Sequence, residues 1–444
     1  MKKERGEASV ANEFYENLNN GYKVKYPKID NATYFNIVNY APDLDKPIQQ
    51  WYRYKEGYSL DLNEKIFREF SVGKRDIVCD PFCGGGSTLL CSFLNDVKSI
   101  GFEVNPFASL LAKVKTRFYE EQDIKELDKQ IKRINQVIPN DYLTIKPKLS
   151  FIDKVFDAEV LELLLSYREY ISSIDNEKIR DLIFLAWLSI LEDVSNYRKA
   201  GNGLKRKTAK NGNTLLGKKE STRQLLNSKL KLMLKDIQNY YGKVKKEYEP
   251  DIYNKSCLEM GKYLDEDYLK GVIFSPPYAN CFDYTEIYKI ELWMGGFVKE
   301  YSDLKELRKA ALRSHLSSAA NGTTSRGINL DELNELLAML SKKDLWDKRI
   351  PAMLKGYFED MSRVINDTYR CLKPGGFCCI VVSNSAYGGV VIPTDLLISR
   401  IAESAGFENL KIDVSRYIIT SSQQYKQTQD QKKYLRESIV YLKK

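Results

Sequence analysis

Asp76-Ile77-Val78-Cys79-Asp80-Pro81-Phe82-Cys83-Gly84-Gly85-Gly86-Ser87-Thr88 is the stretch whose reading decides the fold. Its first five residues are a short apolar run between acids and read as a buried strand. Three glycines break the run, and Leu89-Leu90-Cys91-Ser92-Phe93-Leu94 resumes with helical character. Strand, glycine turn and helix form the first half of a nucleotide-binding βαβ unit. Without a Cβ, the turn lets a ligand approach the backbone closely. The spacing is Phe82-x-Gly84-x-Gly86; it is neither Gly-x-Gly-x-x-Gly nor a turn ending in Gly-Lys-Ser/Thr. The next strand, Ser99-Ile100-Gly101-Phe102, ends in Glu103. An acid roughly 20 residues past the turn, at the next strand's tip, is placed to accept hydrogen bonds from a ribose's hydroxyls.

Far downstream, the apolar run Gly271-Val272-Ile273-Phe274 stops at Ser275-Pro276-Pro277-Tyr278. Prolines lack an N–H and have fixed φ, so the carbonyls before them stay available as acceptors on a rigid shelf. Tyr278 adds a flat stacking face. Acceptors beside an aromatic at a strand's carboxyl end suit a planar ring with an amino group, a nucleobase turned out of its helix. Alone, the stretch also fits a proline-rich turn closing a strand; the upstream glycine turn favours the ligand reading.

Working outward, strands alternate with helices. Further strands are expected at Asp251–Tyr253, Phe377–Val382, Leu410–Val414 and Ser438–Leu442. Helices are expected within Trp51–Phe70, with Ser59 or Asp61 as cap, and over Phe107–Lys115, Glu286–Met294, Pro351–Cys371 and Asp395–Ala405. Lys373-Pro374-Gly375-Gly376 is a helix stop. The alternation predicts an α/β protein with a doubly wound, mostly parallel sheet and ligand groups at the strands' carboxyl ends. Between the halves, amphipathic stretches at Ile124–Val137, Ala158–Ile171, Ile179–Val194 and Leu225–Tyr241 predict a helical insertion. The expected layout is an N-terminal extended arm over 1–50 and a catalytic domain over 51–116 and 250–444. A helical insertion covers 117–249, and a second insertion, 299–350, carries a Ser/Gly/Thr-rich patch at Ser317–Gly327 expected to be mobile.

The 444 residues, 43% hydrophobic and 29% charged, describe a globular chain with no membrane-length apolar run and no apolar signal core at Met1–Arg5; a cytoplasmic location is expected. The eight cysteines form no Cys-x-x-Cys pair, so no zinc site is expected, and several sit in strand-like runs as small hydrophobes. A single histidine, His315, argues against a Ser-His-Asp hydrolase and a multi-histidine metal centre. Net charge is +9, but its distribution matters more. From Arg198 to Arg223 nine basic residues face one acid, Glu220, with glycines and asparagines between them. This reads as a flexible basic loop suited to phosphates, with Tyr197, Arg198, Lys199, Lys205, Arg206 and Lys207 as candidate duplex contacts; a solvated surface loop is the plainer alternative.

Asp80-Pro81-Phe82-Cys83-Gly84-Gly85-Gly86 with Ser275-Pro276-Pro277-Tyr278 resembles the S-adenosylmethionine-dependent DNA amino-methyltransferases. The resemblance extends over residues 51–115 and 250–442 and includes Lys373–Gly376 and Arg436-Glu437-Ser438-Ile439-Val440. The Ser-Pro-Pro-Tyr form is similar to that of the N4-cytosine enzymes; N6-adenine enzymes more often begin with Asp or Asn. The resemblance implies a class I methyltransferase, Rossmann-like fold and S-adenosylmethionine as cofactor. It implies double-stranded DNA as substrate, base flipping, no metal, and a setting in which a restriction endonuclease can be the cognate partner. By the same resemblance Pro81, Phe82, Cys83, Gly84 and Gly86 wrap the cofactor, Glu103 holds its ribose, and Asp80 orients its amino group. Tyr58 and Ser59, within the loosely matching Tyr54–Ser59, close over the methionine carboxylate. Ser256 and Cys257 fall at the adenine, although the usual acid is missing there. Ser275, Pro276, Pro277 and Tyr278 are the implied catalytic residues. Ser275 and the Pro276 carbonyl would draw the amine's protons, so its delocalised lone pair localises toward an in-line methyl. The absence of any Pro-Cys pair argues against C5 chemistry. Adenine N6, an RNA base, or a non-catalytic binding protein on the same scaffold stay open as alternatives. A nucleotide-dependent dehydrogenase fits neither the glycine spacing nor Ser-Pro-Pro-Tyr.

Overall fold

The computed structural model describes residues 12–27, 41–55, 57–201, 203–207, 219–240, 248–318, 329–418 and 427–444. Twelve strands are β1 Val24–Lys25, β2 Ile77–Asp80, β3 Lys98–Phe102, β4 Tyr197–Ala200, β5 Gly203–Arg206 and β6 Asp251–Tyr253, then β7 Leu269–Phe274, β8 Leu372–Ser383, β9 Ser385–Tyr387, β10 Val390–Ile392, β11 Glu408–Tyr417 and β12 Arg436–Lys443. Eight of them form one sheet in the order β1-β11-β12-β8-β7-β2-β3-β6. Every pairing is parallel except the two made by β12, which runs against β8 and β11. The order reverses direction around β2 and β7, which pair Val78 with Gly271. That is where an open α/β sheet leaves a crevice for a ligand.

Period-two alternation builds the two faces. In β8, Phe377, Cys379 and Val381 join one apolar cluster, while Cys378, Ile380 and Val382 join another. All of these are at most 1% exposed. Each buried side chain of this size contributes roughly 1.5–3 kcal/mol, so the sheet is held from both sides. All eight cysteines are free and buried.

Two expectations change, and a third gains its packing. The N-terminal arm is no mere lead-in: residues 12–20 are helical and β1 adds the sheet's outermost strand, parallel to β11. Tyr15 bonds Val391 at both its backbone N–H and C=O, and Arg436 reaches Asn19 and Tyr26. Next, the helical insertion packs onto the sheet. Its helices Glu121–Ile134, Ala158–Ser172, Glu177–Val194 and Lys219–Tyr240 share one apolar cluster with β7, β8 and Pro106–Lys115. Trp187, Leu188 and Leu111 are all 0% exposed in it. Last, the expected flexible basic loop begins as an antiparallel β4–β5 hairpin, pairing Arg198 with Lys205 and Ala200 with Gly203. Lys210, Lys218 and most of the Ser317–Gly327 patch lie outside the described residues.

Candidate active site

The carboxyl ends of β2, β3, β6 and β7 open on one cleft. Pro81, Phe82 and Gly84 line it after β2, Glu103 and Asn105 after β3, Ser256 and Cys257 after β6, and Ser275 and Pro277 after β7. Two segments almost two hundred residues apart in sequence therefore line one cleft.

The glycine turn requires its glycines. Gly84 and Gly86 have φ of 47° and 79°, and a Cβ on Gly86 would lie 2.9 Å from the Ala112 methyl. The turn is fastened to Glu103, whose Oε2 accepts from the Gly84 N–H at 2.9 Å and whose Oε1 accepts from the Asn105 N–H at 2.7 Å. Burial pushes the Glu103 carboxyl up to about 7, against the pull of those N–H groups. Under the turn, the Lys115 ammonium donates to Gln49 Oε1 at 2.7 Å and to the Gly85 carbonyl at 3.1 Å. Burial lowers its pKa to about 7.

Not every expected cofactor residue faces the cleft. Asp80 is 1% exposed and turned inward, its Oδ1 accepting from the Phe82 N–H and its Oδ2 from the Tyr58 hydroxyl. Burial raises it to about 6. Tyr58 lies behind the strand tip, and Ser59 occupies the N-cap position of the helix Leu60–Glu69. Asp80, Tyr58 and Ser59 are buried, and none of the three is among the residues that line the cleft. Cys83 is buried, which holds its thiol protonated. Tyr54 is the residue of that segment on the cleft wall, and it stacks on Tyr288 with centroids 5.1 Å apart.

In the Ser-Pro-Pro-Tyr shelf, Ser275 Oγ donates to the Val381 carbonyl at 2.9 Å. The Tyr278 hydroxyl lies 3.4 Å from the same oxygen; a hydroxyl has one proton, so lone pairs on this oxygen remain for acceptance. Tyr278, half-buried, donates to Glu437 Oε1 at 2.6 Å. Glu437, on β12, is 2% exposed and also holds Arg416. Asp283, Arg308 and His315 also line the cleft; Asp283 accepts from Arg308 at 2.9 Å and lies 3.9 Å from His315.

The six basic-hairpin residues divide. Lys199 is turned inward, its side chain 7% exposed, and is ion-paired to Glu192 at 3.0 Å and to Glu291. Lys207 donates to the carbonyls of Glu192, Asp193 and Ser195, capping the end of the helix Glu177–Val194. Tyr197 packs on Phe151. Arg198, Lys205 and Arg206 are exposed. The Lys55 ammonium, next to the cleft-lining Tyr54, donates to the hairpin's Gly201 carbonyl at 2.9 Å, which sets this exposed charge beside the cleft.

Lys115 and the Asp283–Arg308 pair went unread from sequence, while Tyr54 entered only as the start of Tyr54–Ser59 and Glu437 only within Arg436–Val440.

A mostly parallel sheet with one reversed strand, helices packed on it, and a glycine-turn cleft over the carboxyl ends is the α/β class I methyltransferase fold. No protein-family model matches the chain. It is 28% identical over 418 residues to the Type II methyltransferase M.BsoBI of Geobacillus stearothermophilus, across 85% of this chain and 82% of that protein. It is 30% identical over 406 residues to the Type II methyltransferase M.AvaI of Nostoc sp., again across 85% and 82%. The Type II methyltransferase M.MvaI of Kocuria varians is 22% identical over 355 residues. The chain belongs to the Type II methyltransferases. Among the described residues, no helix is long and apolar enough to cross a membrane, and no cluster of His, Cys, Asp or Glu could hold a metal ion.

Proposed function

We propose that this protein transfers a methyl group from S-adenosylmethionine to the exocyclic N4 amine of a cytosine turned out of double-stranded DNA, as the cytoplasmic modification enzyme of a restriction–modification pair. The observation that carries this reading is Ser275: its hydroxyl sits 2.9 Å from the Val381 carbonyl and 3.4 Å from the Tyr278 hydroxyl, which engage its one proton and leave lone pairs, and it lines the same cleft as Glu103. The Type II names of the relatives support DNA as substrate.

The residues fit the cofactor. Gly84 and Phe82 offer a wall without bulk at the turn, and the Glu103 carboxylate keeps lone pairs for two ribose hydroxyls. Ser256 and Cys257 line the adenine end. When bound, the cofactor supplies an electrophilic methyl on a sulfonium. The protein's part is placement and proton handling. Ser275 Oγ and the Pro276 carbonyl accept the two N–H bonds of the amine, pulling its lone pair out of the ring and aiming it at the methyl. Tyr278 stacks on the base; its hydroxyl, tied to Glu437, fixes the ring's tilt. The exposed Arg198, Lys205 and Arg206 hold phosphates.

The test is to incubate the protein with isotope-labelled cofactor and with duplex DNA or RNA, then digest to nucleosides for mass analysis. Labelled N4-methylcytosine from DNA is expected. Label on adenine alone overturns the target assignment, and label only in RNA overturns the substrate.

A further inference from the structure

The catalytic loop has a second neighbour, away from the basic hairpin. The Ala279 carbonyl, one residue past Tyr278, accepts from Ser385 Oγ at 2.7 Å and from the Tyr387 hydroxyl at 2.9 Å, both on β9. Tyr387 also meets the Cys281 thiol at 3.4 Å. The β9–β10 turn at Gly388 is covered in turn by residues 343–345: a Cβ on Gly388 would lie 3.0 Å from both Leu345 and Lys343. Asp347 and Arg349 are near enough for their charges to act on the Cys281 thiol. The segment Lys342-Lys343-Asp344-Leu345-Trp346-Asp347-Lys348-Arg349 is thus braced against the loop that carries Ser275 and Tyr278.

This segment presents Trp346 to solvent. The indole is 65% exposed, the most exposed aromatic among the described residues, whereas Trp51, Trp187 and Trp293 are at most 1% exposed. Four cations flank it against two acids, and Asp347 is already paired to Arg349 at 2.7 Å. An exposed indole in a cation-rich segment that reaches the loop after Tyr278 through the β9–β10 turn matches the chemistry of nucleic-acid contact, in which a flat ring stacks on any base and the cations meet phosphates.

We infer that Trp346 is a DNA-stacking residue that packs on a base next to the everted nucleotide and stabilises the opened duplex. The inference rests on the proposed DNA substrate and adds a contact at the far side of the catalytic loop. An occupant of protein chemistry is the rival, and the test separates the two.

Because the other three tryptophans are buried, acrylamide quenching of tryptophan emission reads Trp346. A saturating duplex, its binding followed independently by fluorescence anisotropy, is expected to shield the quencher-accessible emission severalfold, and Trp346→Phe removes that component. Trp346→Ala is expected to lower kcat/KM for methyl transfer about tenfold, with cofactor affinity unchanged, while Trp346→Phe keeps most activity. Unchanged quenching with duplex demonstrably bound overturns the inference and assigns the indole to another partner, leaving the proposed function intact. A protein that neither binds duplex nor methylates it removes the proposed function, and this inference with it.

Discussion

Two places gather charged residues in this molecule, the edge of strand tips and the β4–β5 hairpin, and they resolve differently. At the edge, acids of similar sequence setting part company. Glu103 lines the cleft, while Asp80, at the tip of the adjacent strand, is sealed behind the turn by Phe82 and Tyr58. In the hairpin, neighbours on one strand part company: Arg198 is exposed and Lys199 is buried against Glu291 and Glu192. The edge sorts its residues by which strand they end, the hairpin by the two-residue period of one strand. A charged residue's job thus follows from where its partner sits, and the partner comes from a distant element.

The comparison can be broken most forcefully at Lys199. Lys199→Met leaves Glu291, 1% exposed, without its cation, and is expected to cost about 3–5 kcal/mol in urea unfolding. A variant of normal stability but weak duplex binding would return Lys199 to the contact surface. At the edge, Ser275→Ala is expected to lower kcat about 10²–10³-fold with cofactor Kd nearly unchanged, because an oriented acceptor acts on the reacting amine; single-turnover kinetics measure it. Glu103→Gln should instead weaken cofactor binding, by roughly tenfold to a hundredfold in calorimetry, with a smaller effect on the bound rate. This variant also carries a pH signature. With a folded pKa near 7 against the ordinary 4.5, Glu103 gives its stability below the ordinary value and loses it as pH rises through about 7. The melting temperature of Glu103→Gln should therefore gain on the parent between pH 5 and pH 8. The smallest effect belongs to the exposed side of the hairpin. Arg198→Ala or Arg206→Ala should weaken duplex binding a few-fold across all sequences and reduce the salt slope by about 1 each.

Much of the edge was legible in advance because strand–turn–helix chemistry is local. Asp76 to Thr88 contains the strand, the turn and the helix start within thirteen residues, and the parallel sheet follows from alternation. The strand tips converge on one cleft because parallel strands present their carboxyl ends together. The inward turn of Asp80 and Tyr58 was not legible, since it depends on packing across 22 residues. The burial of Lys199 was hidden further, because Glu291 lies 92 residues away. The hairpin read as a loop because Gly201 and Gly203 look like linker composition, yet Gly201, at φ 57°, makes the turn. Lys115 entered only as the end of an expected helix; its ammonium bonds the Gly85 carbonyl of the glycine turn.

The pairing of β1 with β11 sets the timetable for folding. Lys25 aligns with Asp413, so β1 waits for a partner made almost four hundred residues later. On the ribosome, the outer rim of the sheet stays open until the whole catalytic core has emerged, and its unpaired backbone can meet other chains meanwhile. Slow or interrupted synthesis should cost this protein more yield than one whose edges close hairpin by hairpin.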